Sequence, residues 1–188
     1  MKHLKIAVSA LALSAAAMPA SAEDITIGVI SILEGAFAAL GQDGIRGVEM
    51  AVADAGGAVA GKNIELVVVS SDASPDSAVA AARRLIEQDG AKIIVGPLSG
   101  SEGLALRDLS RSYPDVTIIN GSSGAQDTTL RDPSDNFFRF GGDGAQWMAG
   151  VGSYAHDTLG YKKVAIVAED YSFPYTCLLY TSPSPRDS

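Results

Sequence analysis

Cysteine, histidine and basic residues are scarce in this 188-residue chain, and each shortage excludes a class of protein. The chain has one Cys and two His, which excludes an intramolecular disulfide and is too few for a zinc site built from these residues. Its 14 Lys and Arg stand against 22 Asp and Glu, which gives a formal net charge of −8. A nucleic-acid surface needs clustered cations instead. We therefore expect no metal, no cofactor and no nucleic-acid partner.

The one extended apolar run lies near the N-terminus and has the features of a signal peptide. A basic start, Met1–Lys5, precedes the apolar run Ile6–Ala17, and the small residues Ala20–Ala22 precede Glu23. This order is typical of secretory signal peptides. The run is shorter than the roughly 20 residues that a membrane-spanning helix needs. The sequence therefore predicts that residues 1–22 are a signal peptide and that the mature chain is a periplasmic protein that does not span the membrane.

Short apolar strands alternate with helices between residues 23 and 141. The predicted strands are rich in β-branched residues, and the predicted helices have apolar residues on one face and clear start and stop signals. Continuous apolar strands separated by helices are typical of a parallel sheet with both faces covered. We predict an α/β fold, a doubly wound parallel sheet, for an N-terminal ligand-binding lobe over residues 23–141. Its strands are predicted at Ile25–Ile30, Ile64–Val69, Lys92–Val95 and Val116–Ile119, with an extended edge at Asn136–Arg139, and its helices at Gly41–Ala55, Pro75–Asp89 and Gly100–Arg111.

Residues 142–176 begin a second unit that the sequence does not complete. Asp143 is placed to cap a helix with Trp147 on its inward face, and Val164–Ala168 is predicted to be another buried strand. One strand and one helix cannot cover both faces of a parallel sheet. We therefore expect an incomplete second α/β lobe in a truncated copy of a larger two-lobed protein, with a complete single-domain protein and a loose tail as the alternative. Residues 177–188, rich in Ser and Pro, are expected to be a disordered or artefactual tail.

Polar loops follow two neighbouring strands of the predicted sheet. Open α/β sheets bind ligands at the carboxyl ends of their strands, and hydroxyls beside the free N–H groups of a helix start can hold an anion. The loop after the first strand contains neither the glycine pattern of dinucleotide-binding proteins nor the lysine of a P-loop. We therefore predict a pocket for a small carboxylate-bearing ligand, with ordinary helix capping and a plain turn as the alternative interpretations of the two loops. The candidate ligand-binding residues are Ser99, Gly100 and Ser101 in the first loop and Ser122, Ser123 and Gly124 in the second.

Several segments resemble, in their order and spacing, one family of exported receptors. After the predicted signal peptide come Ile25–Ile30, Gly47–Ala51, Val95–Ser101, Asn136–Arg139 and Lys162–Val167. Over residues 24–176 the chain resembles the type I periplasmic solute-binding proteins of ABC importers. Within that family it is most similar to the branched-chain amino-acid (Leu/Ile/Val) binding branch.

This resemblance implies a Venus-flytrap receptor, in which two α/β lobes joined by a hinge close on a small solute and deliver it to an inner-membrane ABC permease. It also implies that the two polar loops hold the carboxylate of the solute and that Phe173 is an aromatic contact from the second lobe. Gly100 stands where the family often has a serine, Gly124 where amino-acid-binding members often have a threonine, and Leu40 where the family can have an aromatic residue. The expected solute is therefore a branched-chain amino acid, or else an aromatic acid, an amide or another small organic anion.

Two other functions compete with import. A ligand sensor of the same fold would pass its signal to a regulator or receptor, and the sequence does not separate it from a transport protein. An exported α/β hydrolase or amidase would need a nucleophile elbow such as G-x-S-x-G. Gly100–Gly103 approaches that pattern but has the wrong spacing. We therefore predict that the chain is not an enzyme.

Overall fold

The computed structural model of the chain describes residues 24–179. The predicted signal peptide, residues 1–22, and residues 180–188 of the predicted tail lie outside the described part. The strands are β1 (Ile25–Ile32), β2 (Ala58–Val59), β3 (Lys62–Ser71), β4 (Ile93–Val95), β5 (Thr117–Asn120) and β6 (Phe137–Arg139). The helices are α1 (Ala38–Asp54), α2 (Pro75–Glu87), α3 (Gly100–Ser110), α4 (Gly144–Trp147), α5 (Val151–Ser153) and α6 (Ser172–Leu179).

The strands form one sheet in the order β2-β3-β1-β4-β5-β6. Every pairing is parallel except that of β2 with β3. In the register of the sheet, Ile27 of β1 lies between Leu66 of β3 and Ile93 of β4. The chain extends the sheet first to one side of β1 and then to the other. This confirms the predicted doubly wound α/β fold and places its topological switch point between β1 and β4.

One face of the sheet is closely packed against α2 and α3. Ser74 caps the N-terminus of α2, because its hydroxyl accepts a hydrogen bond from the N–H of Ser77 at 3.2 Å, and Pro75 occupies the first turn. The cap satisfies a free N–H group of the first turn, and the buried residues of α2 form its apolar face against the sheet. The core on this face contains Ile30, Val69, Ala78, Ala82, Leu85, Ile94, Leu106 and Ile118, together with Phe137 of the edge strand.

The opposite face is covered by α1 and is less completely filled. Gly41 is the buried residue of α1, and a Cβ at this position would lie 1.8 Å from the carbonyl oxygen of Ile32. The predicted apolar face of α1 does point towards the sheet, but a groove of about 680 Å³ remains between them. We name this space the α1 groove; Val48, Ala51, Val52 and Ala55 line it from the helix side. Both faces of the sheet are therefore covered by helices, and the packing is closer on the side of α2 and α3 than on the side of α1.

Residues 142–179 differ from their predicted structure in two places. The N-cap at Asp143 is confirmed, since its Oδ1 accepts the N–H of Gln146 at 2.8 Å. Trp147 does not point inward, however, and is 51% exposed, because α4 ends after four residues and Gly150 then takes a left-handed φ of 83°. The predicted strand Val164–Ala168 is also wrong. It is irregular and exposed, because no strand of residues 24–179 lies beside it to accept its backbone hydrogen bonds.

The last described helix packs back on the sheet-bearing part of the chain. Phe173 of α6 lies against Gly100 and Gly124, and Cys177 is buried in the same helix. The predicted start of the tail at residue 177 therefore falls inside α6. The division of the chain into lobes at residue 141 stays a prediction. Among the helices between residues 24 and 179, none has the length and apolar character that crossing a membrane requires.

Candidate functional site

A cavity of about 500 Å³ lies at the carboxyl ends of β1, β4 and β5. This is the edge at which an open α/β sheet is expected to bind its ligand. Six of the seven predicted ligand-binding residues line it, and Ser123 does not. The polar side of the cavity consists of Ser99, Gly100, Ser101, Ser122 and Gly124, and its apolar side of Ile32, Phe37, Leu40, Ala73, Leu98, Trp147, Tyr171 and Phe173.

The first polar loop presents the N-terminus of α3 to the cavity. Gly100 and Ser101 occupy the first turn of this 11-residue helix, where backbone N–H groups have no intrahelical acceptor. The hydroxyl of Ser101 lies 3.2 Å from that of Ser172. A helix N-terminus carries a partial positive charge and directs N–H groups at an approaching anion. This side of the cavity therefore favours a carboxylate over a cation.

Glu102 is a buried residue that stabilises the first polar loop through a hydrogen bond to its backbone. Its Oε2 accepts the backbone N–H of Ser99 at 3.0 Å, and the residue is fully buried. Burial raises the pKa of the Glu102 carboxyl, an effect that the Ser71 hydroxyl and the Ser99 N–H partly oppose and that the nearby Asp72 charge increases. The sequence analysis missed this residue. The spacing of Ser99 and Glu102 is that of a capping box, and this signal could have identified it.

The second polar loop is folded around the side chain of Asn120. Its Nδ2 donates to the carbonyl of Ser123 at 3.0 Å, and its Oδ1 accepts the N–H of Ser123 at 2.8 Å. The Ser122 hydroxyl donates to the carbonyl of Pro97 at 3.2 Å and so joins the two loops. Asn120 is fully buried. It determines the shape of the loop although the sequence analysis did not single it out.

Ser123 lies apart from the other predicted ligand-binding residues. The residue is buried, and its hydroxyl points at α3, where a Cβ on Gly103 would come within 2.3 Å of it. Ser123 is therefore a packing residue beneath the loop, while its neighbours Ser122 and Gly124 face the cavity. Inward and outward side chains follow no fixed period in an irregular loop. The sequence therefore did not reveal that Ser123 points inward between Ser122 and Gly124.

Aromatic side chains pack against the polar loops and form an apolar wall of the cavity. The rings of Trp147 and Phe173 meet edge to face with 5.4 Å between their centroids, and Tyr171 lies 6.2 Å from Phe173. A Cβ on Gly124 would approach the Phe173 ring to 2.8 Å and Trp147 to 3.1 Å. The absence of a side chain at Gly124 therefore leaves room for this wall. Trp147, which the sequence predicted to be a core residue, is part of the cavity.

Among the residues that the structure describes, only uncharged ones line the cavity. None of the side chains of residues 24–179 that line it belongs to Asp, Glu, Lys, Arg or His. Within the same part of the chain, no group of three His, Cys, Asp or Glu residues is arranged to hold a metal ion. The cavity can therefore hold an anion through N–H and hydroxyl groups and an apolar body through its aromatic wall.

Comparison with known proteins identifies one family over nearly all of the described chain. The family profile described as "Periplasmic binding protein" matches residues 24–178. An amino acid binding protein of Pseudomonas aeruginosa is 34% identical over 146 residues, which are 77% of this chain and 38% of that protein. The Leu/Ile/Val-binding protein homolog 3 of Brucella melitensis is 30% identical over 77% of this chain and 39% of its own length.

A solved structure with a similar fold contains a bound aromatic acid. It is a solute binding protein of an ABC transporter from Rhodopseudomonas palustris BisB5, in complex with 3,4-dihydroxy benzoic acid. The TM-score is 0.76 at 27% sequence identity, and the match covers 84% of this chain and 42% of the other. The chain thus spans about two fifths of the length of the relatives that it matches.

Proposed function

Because the chain belongs to the periplasmic binding protein family, we propose that it is the solute-binding component of an ABC import system and captures a small carboxylate-bearing solute in the periplasm. One observation carries this proposal: residues from two separate loops meet at the carboxyl edge of the sheet, around one cavity that includes the N-terminus of a helix. The roles of Ser99, Gly100, Ser101, Ser122, Gly124 and Phe173 in ligand binding are part of the proposal.

The relatives support an organic acid as the solute. Two of them are named as amino-acid or Leu/Ile/Val-binding proteins, and the solved structure holds a benzoic acid derivative. The feature that these ligands share is a carboxylate beside an apolar body. The polar and aromatic sides of the cavity suit the two halves of such a molecule.

The proposal includes a partner and a compartment. A binding protein of an importer delivers its solute to an inner-membrane permease, so we propose that the chain is exported by its predicted signal peptide and acts without catalysing a reaction. The relatives are binding proteins by name, which agrees with a non-enzymatic role. Uptake of labelled solute by cells with and without the gene distinguishes import from sensing, because a sensor would leave the uptake rate unchanged.

Contacts that covered the ligand from a second side of the cavity would strengthen its binding. A ligand pocket usually buries most of its ligand, whereas this cavity is bounded largely by residues of the first predicted lobe and by α6. We therefore expect this chain to bind its solute weakly in comparison with proteins of the relatives' length. A ligand-detected method that tolerates weak affinity is the suitable assay.

The experiment that tests the function is a titration of the purified chain with sodium salts of small carboxylic acids. Saturation-transfer NMR detects the binding of each acid to the chain. The primary amide of the same acid is measured in the same way as an uncharged comparison. We expect the carboxylates to bind more tightly than the amides. Ser101→Ala, which removes a hydroxyl that lines the cavity in the first turn of α3, should weaken binding by about tenfold, as expected when a hydrogen bond to a charged group is lost, while Ser112→Ala on the exposed surface should not. Equal signals from acids and amides, or no signal from any acid, would contradict the proposed function.

A further inference from the structure

A buried ion pair lies where the chain passes from the sheet to α4. The Nη2 of Arg139 and the Oδ2 of Asp143 are 3.3 Å apart, and the two side chains are only 8% and 6% exposed. A buried charge of this kind is strongly disfavoured when its partner is removed. Arg139 is the last residue of β6 and lies opposite Asn120, the last residue of β5. The ion pair therefore joins the carboxyl edge of the sheet to the start of α4.

Arg139 also binds the segment that follows the second polar loop. Its Nη2 donates to the hydroxyl of Thr129 at 2.8 Å, and its Nη1 donates to the carbonyl of Ala125 at 3.4 Å. Ala125 comes directly after Gly124, which lines the cavity. Because a planar guanidinium presents several donors in fixed directions, this one side chain connects the end of the second loop to Asp143.

Asp143 uses its two carboxylate oxygens for different contacts. Its Oδ1 accepts the N–H of Gln146 and so caps α4, while its Oδ2 faces the guanidinium of Arg139. The next residue, Gly144, donates its N–H to the carbonyl of Gly124 at 2.9 Å. The start of α4 is therefore bound to the second loop and its flanking segment through two adjacent residues.

The helix α4 is too short to fix its own direction. It has four residues, whereas isolated helices shorter than about 12 residues are marginal in water. Its last residue, Trp147, lines the cavity and contacts the Phe173 ring. A Cβ on Gly124 would come within 3.1 Å of Trp147, so this side chain lies close against the second loop. The contacts at Asp143 and Gly144 therefore determine, together with Phe173, where the Trp147 ring lies.

We propose that Arg139 and Asp143 are positioning residues of the cavity, whose ion pair holds α4 against the second loop and so places the Trp147 ring at the cavity. Neither of the two side chains lines the cavity, so the pair acts on the solute through Trp147. The effect on solute binding rests on the proposed function. The position of the Trp147 ring does not, because it is measured without a solute.

Asp143→Asn separates the ion pair from the helix cap. Asparagine is as good an N-cap as aspartate, so the variant keeps the cap of α4 and loses the charge that faces Arg139. Trp147 is the single tryptophan of the chain, so its fluorescence reports the surroundings of this ring directly. We expect emission at a longer wavelength, stronger quenching by acrylamide and about tenfold weaker binding of benzoate, as expected when about 50 Å² of apolar contact is lost. Unchanged emission and quenching would overturn the proposal, and a changed emission with unchanged benzoate affinity would overturn the positioning role.

A double variant distinguishes positioning from a contribution to stability alone. Arg139→Met combined with Asp143→Asn removes both charges, so neither is left buried without a partner, and the stability lost in Arg139→Met alone should be largely recovered. The Trp147 emission should stay shifted, because methionine donates no hydrogen bond to Ala125 or Thr129. A double variant in which stability and emission both return to the values of the natural chain would overturn the proposal. This variant also decides the matter if a single variant does not fold.

Asp108→Asn is the matched control. Asp108 pairs with Arg107 at 2.8 Å, and the Arg107 side chain is 9% exposed, so the same substitution again takes a carboxylate from a nearly buried arginine. Neither residue lines the cavity, and we expect unchanged Trp147 emission and benzoate affinity. An emission shift as large as that of Asp143→Asn would overturn the proposal, because it would show a general loosening of the fold. If the natural chain binds no benzoate, the proposed function is contradicted, whereas the emission of Trp147 still decides the role of the ion pair.

Discussion

Glu102 and Asn120 are fully buried polar residues, and each binds the backbone of one loop that lines the cavity. Sequence analysis predicted the residues of these loops that line the cavity because serine and glycine next to strand ends are conspicuous. It did not predict the buried residues that hold them. The capping-box spacing could have identified Glu102, whereas the role of Asn120 depends on the turn that follows it. The inward orientation of Ser123 likewise depends on that turn.

Glu102→Gln tests the effect of the buried carboxyl on stability. Burial raises its pKa in the folded protein, so the folded chain retains this proton to a higher pH than the unfolded chain does. The stability that protonation provides is present below the ordinary glutamate pKa and is lost as pH rises through the raised value. Glutamine can keep the hydrogen bond to Ser99 without a charge. We expect the variant to gain stability relative to the natural chain as pH rises through this window.

Urea unfolding at a series of pH values measures this difference. Glu49→Gln on the exposed surface of α1 is the control for the loss of one carboxyl group. The account of the buried carboxyl would be refuted if the difference in unfolding free energy between Glu102→Gln and the natural chain stayed constant with pH.

Asn120→Ala should destabilise the protein and distort the second loop. The substitution leaves the N–H and carbonyl of Ser123 without their partners, and buried groups of this kind cost about 1–3 kcal/mol when unsatisfied. Thermal unfolding measures the loss, and Asn63→Ala at an exposed position is the comparison. A melting temperature of Asn120→Ala equal to that of the comparison would show that the side chain does not shape the loop.

At the scale of elements, local signals predicted the helices and strands of residues 25–139 well. The Ser74 cap and Pro75 determine the start of α2, and the apolar strands pair in parallel as expected. Val164–Ala168 has the same apolar pattern but is exposed and irregular. The pattern indicates that a segment could join a sheet, but it carries no information on whether a neighbouring strand is present. Pairing is a tertiary property, and this explains the error.

Two glycines of α1 should respond oppositely to alanine. At Gly41 a Cβ would lie 1.8 Å from the Ile32 carbonyl oxygen, so Gly41→Ala forces the helix away from the end of β1. We expect a loss of about 1–3 kcal/mol in unfolding free energy. At Gly47 a Cβ meets no atom within 4 Å, and Gly47→Ala should gain up to about 1 kcal/mol from helix propensity. Chemical denaturation of both variants measures the sign of each change in unfolding free energy. A stabilising Gly41→Ala would contradict the close approach of α1 to the Ile32 carbonyl.

At the scale of the whole molecule, two features depend on distant parts of the chain and were not predictable from local patterns. The α1 groove between that helix and the sheet has a volume of about 680 Å³ and is lined by residues as distant in the sequence as Ile27 and Gly121. The aromatic wall arises because Trp147 and Phe173 pack on loops that precede them by more than twenty residues. The family resemblance supplied an aromatic role for Phe173, whereas the sequence placed Trp147 in a core.

The central claim is that a carboxylate binds at the start of α3. The most direct test is the two-dimensional ¹H–¹⁵N NMR spectrum of the labelled chain during titration with benzoate. The account predicts that the backbone N–H signals of Gly100 and Ser101 shift most, together with those of Ser122 and Gly124. The α1 groove offers an alternative apolar space that does not include the first turn of α3. The claim would be contradicted if saturating benzoate shifted the N–H signals of Val48 and Ala51 but left those of Gly100 and Ser101 unchanged.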